Sequence, residues 1–272
     1  MSTKHRSAYR LTESAVMLAF AAVLSILKIV DMPYGGSVTA FSMLPLLVIA
    51  YRYGTKWGML TAFTYSLIQL LLGMDNFAYA QGFISILMLA VFDYLCAFLV
   101  LGLGGIFRNA NRSQGSALAL ASVFTGFLRY ACHAVAGFTV WRDLSVPLVD
   151  SVVYSLSYNA TYMIPETIIL VLGSVYVSRF LSFENTTVTR AGIQQNVPRA
   201  ALILSVIAKT TLFADAVCII ALLAPAIQSA ETGSLFLAGL AEAPWVTIGI
   251  VAVAGLFVSI ILDLIAKRLK KS

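Results

Sequence analysis

Several ionisable side chains of this sequence lie inside apolar stretches. In the segment RYACHAVAGFTVW, Arg129 and His133 are four residues apart, and Trp141 follows eight residues later. Asp93 lies in a second apolar stretch and has no basic residue three or four positions away. A charged side chain within a membrane costs several kcal/mol, so it usually lines a cavity or has a partner. These positions are therefore candidates for binding or transport chemistry.

Two helical stripes collect most of the candidate groups, because residues four apart share one face of an α-helix. The stripes consist of Arg129, His133, Gly137 and Trp141 on one helix and Tyr154, Tyr158, Tyr162 and Glu166 on the next. Asn159 lies one residue to the side of the second stripe, and Tyr94 directly follows Asp93. We therefore expect these side chains to face one another across neighbouring helices.

The candidates together supply a carboxylate, an imidazole, an amide and several aromatic rings. Aromatic faces attract cations and stack on heteroaromatic rings, while Asn and Asp side chains hydrogen-bond to a donor–acceptor edge. Asp93 needs a counter-ion from elsewhere, and a cationic ligand would serve. The combination favours a pocket for a small, flat, positively charged heterocycle.

Each candidate also has a purely structural interpretation. Trp141, Tyr154 and Tyr79 could be aromatic residues of the membrane interface, and His133 could be an interhelical hydrogen-bonding residue. Arg129 and Glu166 are predicted to lie further toward the cytoplasm. There they would pair and fix the fifth helix against the sixth rather than contact a ligand.

The composition predicts a polytopic membrane protein. The chain has 272 residues, of which 60% are hydrophobic and 11% charged, and its mean hydropathy is +0.90. Backbone amides in hydrocarbon must be paired internally, and the long unbroken apolar runs favour helices over a closed barrel. The predicted fold class is an all-α helical bundle with eight runs: Leu11–Val30, Thr39–Tyr53, Trp57–Leu72, Gly82–Phe107, Ser116–Trp141, Val146–Leu181, Arg199–Ile227 and Pro244–Ala266. The second and third runs are short enough to be tilted or partly re-entrant.

The distribution of Lys and Arg predicts the orientation in the membrane. Most of the 18 basic residues fall at the N-terminus, at the C-terminus and in alternate loops, as expected for cytoplasmic segments. Both termini are therefore predicted to be cytoplasmic in a plasma membrane. The net charge of +6 is explained by this topology and requires no nucleic-acid partner.

A polar linker predicts three parts: residues 1–181, the linker 182–198 and a final helix pair in 199–272. Lys209 and Asp215 of that pair are six residues apart and should face different neighbours. The three cysteines lack metal-ligand spacing, so no metal or cofactor is expected. The chain also lacks a Walker-type glycine loop, so transport would need a partner ATPase or an ion gradient.

Four segments in order resemble a known family. They are PYGGSVTAFSMLPLLVIAYRYGTKWG, FDYLCAFLVLGLGGIF, RYACHAVAGFTVW and YSLSYNATYMIPE, within about Leu11 to Leu181. They are similar to the thiamine-specific substrate-binding (S) subunit of energy-coupling factor transporters. The resemblance implies six helices that bind thiamine from outside, a transmembrane coupling subunit and two cytoplasmic ATPases. The two helices after Arg199 have no counterpart in that family.

The resemblance also implies roles for individual residues. Asp93 would lie near the thiazolium with Tyr94 beside it, and His133 and Trp141 would stack on the ligand. Tyr154 and Asn159 would contact the aminopyrimidine. The remaining implied positions are Tyr65 in the pocket, Tyr79 in a covering segment, and Ala15 and Ala19 on a small-residue face that docks on the coupling subunit.

Three functions fit these observations. The first is a thiamine-binding subunit of an ATP-driven transporter. The second is a solitary carrier of thiamine or its pyrimidine precursor, coupled to an ion gradient through Glu166, His133, Lys209 or Asp215. The third is a membrane-embedded enzyme, for which no catalytic motif is present. No inward cluster of Lys and Arg suits a pyrophosphate, which favours unphosphorylated thiamine.

Overall fold

The computed structural model describes residues 3–32, 36–80, 82–110, 113–140, 148–183, 187–190, 198–227 and 237–269. Within these ranges the chain is predominantly helical, and its strands form two short antiparallel pairs. The predicted all-α class is confirmed. Among the described residues, six helices are long and apolar enough to cross a membrane: Ser7–Ile26, Gly82–Asn109, Gln114–Val140, Leu148–Ser178, Ala200–Ile227 and Trp245–Leu269.

The long helical segments follow the predicted apolar runs. In chain order they are α1 (Thr3–Ile26), α2 (Leu44–Tyr53), α3 (Thr55–Leu72), α4 (Gly82–Asn109), α5 (Gln114–Val140), α6 (Leu148–Ser178), α7 (Arg199–Leu223) and α8 (Trp245–Leu269). Short 3₁₀ helices occupy Met74–Tyr79, Pro225–Ile227 and Leu237–Glu242, and the last part of α4, Val100–Asn109, is also a 3₁₀ helix. At a rise of about 1.5 Å per residue, α2 is roughly 15 Å long and cannot cross a bilayer by itself.

A β-hairpin replaces part of the first two predicted runs. The helix expected over Leu11–Val30 ends at Ile26, and Lys28–Asp31 (β1) pairs with Ser37–Thr39 (β2). β-Branched residues such as Ile29 and Val30 favour strands over helices. The run predicted from Thr39 likewise begins as a strand, and α2 starts at Leu44 with a proline in its first turn. We call the end of the bundle that carries β1 and β2 the hairpin end.

A buried ion pair fixes α1 to α2 at the opposite end of the bundle. Arg52 Nε lies 2.7 Å from Glu13 Oε1, and both side chains are nearly excluded from solvent. Arg52 Nη1 also donates to the Phe183 carbonyl at 3.0 Å. The segment after α6 folds back here, where Leu181–Ser182 (β3) pairs with Thr189–Arg190 (β4). One guanidinium thus holds three distant parts of the chain.

The last two helices pack closely against each other, and α7 also contacts α6. Lys209 Nζ lies 5.4 Å from the centre of the Phe180 ring, just after α6. Asp215 faces α8, where a Cβ on Gly255 would lie 2.3 Å from its carboxyl carbon. The prediction that Lys209 and Asp215 face different neighbours is confirmed.

Replacing Gly255 by Ala should loosen the α7–α8 pair, since the new methyl group collides with the Asp215 carboxylate. We expect a loss of about 1–3 kcal/mol, as for other overpacked contacts. Gly249→Ala is the matched control on the same helix, because its Cβ meets nothing within 4 Å. Thermal unfolding in detergent, followed by circular dichroism, measures both variants. Equal midpoints would contradict the close approach, and Asp215→Ala should rescue Gly255→Ala.

Candidate functional site

A cavity of about 720 Å³ opens at the hairpin end of the bundle. Its walls come from the end of α1, the hairpin, α3, the following 3₁₀ helix, α4, α5 and α6. Ligand sites for small molecules commonly enclose about 300–1,000 Å³ and combine apolar surface with a few polar groups. The cavity is therefore large enough for a vitamin-sized ligand.

Both predicted stripes face this cavity. The α5 stripe contributes Arg129, His133 and Gly137, and the α6 stripe contributes Tyr154, Tyr158, Tyr162 and Glu166. The two helices can approach because Gly137 has no side chain: a Cβ there would lie 2.1 Å from Ser155 Oγ. Trp141, the last member of the α5 stripe, lies outside the described residues.

An irregular stretch of α4 brings Asp93 and Tyr94 to the cavity. Residues Leu89–Cys96 form a π-helix, in which hydrogen bonds span five residues instead of four. Asp93, Tyr94 and Phe98 all line the cavity. Such wide turns are frequent at functional sites. The apolar sequence of α4 contains no signal that predicts it.

Asp93 and His133 are direct partners. Asp93 Oδ1 lies 2.8 Å from His133 Nδ1, and the two side chains are 22% and 10% exposed. The counter-group that the sequence requires for Asp93 is thus an imidazole of the neighbouring helix α5. The two residues, which were predicted to contact a ligand separately, form one hydrogen-bonded unit at the cavity wall.

His133 also contacts Arg129 of its own helix. Its Nε2 lies 3.4 Å from Arg129 Nη2, and a guanidinium can only donate hydrogen bonds. The other ring nitrogen, Nδ1, faces the Asp93 carboxylate. His133 thus lies between the carboxylate of Asp93 and the guanidinium of Arg129.

Arg129 and Glu166 form the predicted interhelical pair. Arg129 Nη1 lies 3.2 Å from Glu166 Oε2, and the side chains are 5% and 6% exposed. Glu166 Oε1 also accepts a hydrogen bond of 2.7 Å from Thr39 Oγ1 of β2. The guanidinium further contacts the Met43 sulfur and lies 4.6 Å from the centre of the Phe98 ring. Arg129 and Glu166 also line the cavity, so both residues have a structural role and belong to the candidate site.

Asn159 uses its amide within the protein. Its Nδ2 donates to the Ser155 carbonyl at 2.8 Å and reaches the His133 carbonyl at 3.4 Å. Its Oδ1 accepts from the Tyr162 hydroxyl. The amide therefore ties α6 to α5 at the wall of the cavity, which Asn159 helps to line. A ligand contact through Asn159 would have to share or replace one of these bonds.

The aromatic residues lie at two depths. Tyr65 is fully buried and donates to the Ala21 carbonyl at 3.2 Å, which connects α3 to α1. The Tyr94 hydroxyl donates to the Gly73 carbonyl at 2.9 Å and accepts from Asn76 Nδ2 at 2.8 Å. Tyr79 and Tyr154 are half-exposed and line the opening. The rings thus surround the space next to Asp93.

Sequence reasoning missed several cavity residues. They include Ser25, Lys28, Ser37, Gln69 and Asn76. Gln69 follows Tyr65 by four residues, so the helical spacing used for α5 and α6 would have found it. Lys28 and Asn76 come from the hairpin and a 3₁₀ helix, whose positions the hydrophobic pattern does not predict. Lys28 is paired with Asp31 at 3.0 Å and adds no net charge to the opening.

Fold and cavity together define a multi-pass membrane protein with a cavity at one end of the bundle that is lined by charged and aromatic residues. Comparison with known proteins identifies the family. Residues 11–184 match the family described as "Thiamine transporter protein (Thia_YuaJ)". The chain is 34% identical over 171 residues to the thiamine transporter ThiT of Bacillus subtilis, covering 59% of this chain and 85% of that protein. The chain therefore belongs to the thiamine transporter family, and the helices α7 and α8 lie beyond the matched region.

Glu166→Gln should destabilise the protein markedly, because Gln removes the charge that compensates buried Arg129. Breaking a buried pair on one side typically costs about 3–5 kcal/mol. Asp93→Asn should cost less than about 1 kcal/mol, since an amide oxygen still accepts from His133 Nδ1. Thermal unfolding midpoints in detergent measure the difference. Similar losses in both variants would contradict the distinction between the two carboxylates.

Proposed function

We propose that this protein is the substrate-binding subunit of an ATP-driven transporter and captures thiamine from outside the cell. The family match supports a role in thiamine uptake. The observation that carries the proposal is the Asp93–His133 unit at the wall of an aromatic cavity. Thiamine has a cationic thiazolium ring and a flat aminopyrimidine ring, and each has a counterpart in this site.

The charge balance of the site favours the unphosphorylated vitamin. Asp93 and Glu166 contribute two carboxylates to the cavity, and the guanidinium of Arg129 is paired with Glu166. A thiazolium cation would compensate the Asp93 carboxylate, and the tyrosine rings would add cation–π attraction. The phosphate groups of thiamine pyrophosphate would instead meet the Asp93 carboxylate. Arg129, a cation of the cavity wall, is already paired with Glu166.

The proposed orientation makes the hairpin end the outer end. The basic residues that predict a cytoplasmic side include Arg52, Lys56 and Arg108, near the ends of α2, α3 and α4 opposite the hairpin. With both termini in the cytoplasm, the cavity opens to the outside. This orientation suits capture of a ligand from outside the cell.

Energy would come from a transmembrane coupling subunit and two cytoplasmic ATPases. The sequence contains no nucleotide-binding glycine loop of its own. Ala15 and Ala19 are both exposed on α1, on a surface that also exposes the large apolar residues Val16, Phe20 and Val23. Small residues four apart allow another helix to approach closely. We propose this face of α1 as the contact with the coupling subunit.

A solitary ion-coupled carrier is the second candidate. Asp215 favours this candidate, because it lies within a helix long enough to span the membrane. Its carboxylate has no ion-pair partner among the described residues. Such a group can take up and release a proton during transport. An enzymatic function has less support, because the similar protein is named a transporter.

Asp93→Asn should weaken thiamine binding about 10- to 100-fold, because it removes the charge but keeps the acceptor for His133. Titration of the purified protein, followed by quenching of tryptophan fluorescence, gives the dissociation constants. Asp75→Asn is the matched control, since Asp75 is exposed and does not line the cavity.

A neutral ligand makes this experiment specific for charge. An analogue in which an uncharged thiophene replaces the thiazolium should bind the wild type and Asp93→Asn with similar affinity. An equal loss for thiamine and for the analogue would overturn the assignment of Asp93 to the cation. Absence of thiamine binding by the wild type would overturn the proposed ligand.

Ala15→Leu combined with Ala19→Leu should abolish uptake while leaving thiamine binding within about twofold, because the bulky side chains block only the helix contact. Uptake of labelled thiamine is measured in cells that express the protein together with its coupling subunits. Ala254→Leu, an exposed alanine of α8, is the matched control. Uptake that persists without ATPases and collapses with an uncoupler would instead establish the ion-coupled carrier.

A further inference from the structure

The strand β2 separates the cavity from the helix α7. Successive strand residues point to opposite faces. Ser37 and Thr39 line the cavity, whereas Val38 between them is fully buried in a hydrophobic cluster. That cluster also contains Met32 of the hairpin region and Ala224 just after α7, with Val217 and Ile220 of α7 packed against it. The wall of the ligand site is thus supported from behind by α7.

Phe41 connects this wall to α7 by a strained turn. It is the non-glycine residue with a positive φ among the described residues, at 63°. This backbone conformation is unfavourable for a bulky residue and persists only where the surroundings stabilise it. The Phe41 ring lies 4.9 Å from the Phe213 ring of α7. On the other side, a Cβ on Gly173 of α6 would lie 3.1 Å from the Phe41 ring.

The turn held by Phe41 carries contacts to the charged network. Two residues before it, Thr39 Oγ1 donates to Glu166 at 2.7 Å and lies 2.7 Å from Ser42 Oγ. Two residues after it, the Met43 sulfur contacts Arg129. The Phe41 amide and carbonyl also bond to Thr39 and Leu44. A shift of the Phe41 ring would therefore move the groups that orient Glu166 and Arg129.

We propose that α7 is a positioning element of the ligand site and that Phe213 acts through Phe41. Among the described residues Phe213 is not part of the cavity lining, and its ring packs against Phe41 and Tyr176. Phe213 holds the turn over residues 39–43. This turn positions Thr39 and Met43, which contact Glu166 and Arg129. This role rests on the proposed binding of thiamine at the cavity. It gives the helices beyond the family match a function in ligand affinity.

Phe213→Ala should raise the thiamine dissociation constant roughly two- to tenfold, the factor that corresponds to one aromatic pair. Phe41→Ala should have at least the same effect. The double variant should bind no more weakly than Phe41→Ala, because the influence of Phe213 passes through Phe41. Phe213→Tyr preserves the ring and should bind thiamine with an affinity close to that of the wild type. Phe257→Ala, an exposed ring of α8, is the matched control.

Hydrogen exchange of the ligand-free protein separates positioning from general packing. Phe213→Ala should speed exchange in residues 37–43, whereas Phe257→Ala should leave that segment unchanged. Additive losses in the double variant, or unchanged exchange in residues 37–43, would overturn the proposal. So would wild-type affinity in Phe213→Ala. A wild type that does not bind thiamine would contradict the proposed ligand, while the exchange result would still decide whether α7 holds the turn.

Discussion

The charge of Arg129 is the constraint on which the rest of the site depends. A guanidinium in the middle of a membrane helix cannot lose its proton, so the protein must surround it with acceptors. Glu166, the Met43 sulfur, the Phe98 ring and His133 Nε2 do so from four different segments of the chain. The same contacts set the distances between the helices that enclose the cavity. The contacts that compensate the charge of Arg129 therefore also determine the shape of the cavity.

This arrangement explains why the two carboxylates differ. Glu166 forms an ion pair with Arg129 and accepts a hydrogen bond from Thr39, so its charge stabilises the fold. Asp93 is paired with the His133 imidazole at the wall of the cavity that the tyrosine rings line. The proposed selectivity for a cation rests on this difference between the two carboxylates.

Helical periodicity predicted much of the site, because residues four apart must share a face wherever the helix is regular. The stripes of α5 and α6 reached the same cavity for this reason. The hairpin that replaces the end of the first predicted run and the start of the second was not predictable, nor was the π-helix around Asp93, since apolar strand, α-helix and π-helix have similar composition. The pairing of Asp93 with His133 spans 40 positions and depends on how α4 packs on α5. Local patterns contain no information about such a contact.

The helix α7, which lies beyond the region of the family match, packs against residues within that region. The matched region ends at residue 184, yet Val217 and Ile220 of α7 complete the cluster behind β2, and Phe213 meets Phe41. Six helices that bind a ligand without α7 need another way to hold this turn, whereas here an added helix supplies apolar surface to a strained backbone. Added helices need not create a new site to change function, because a rigid wall lowers the entropy that the ligand must remove on binding. The extension is thus explained more simply as part of the existing site than as a separate module.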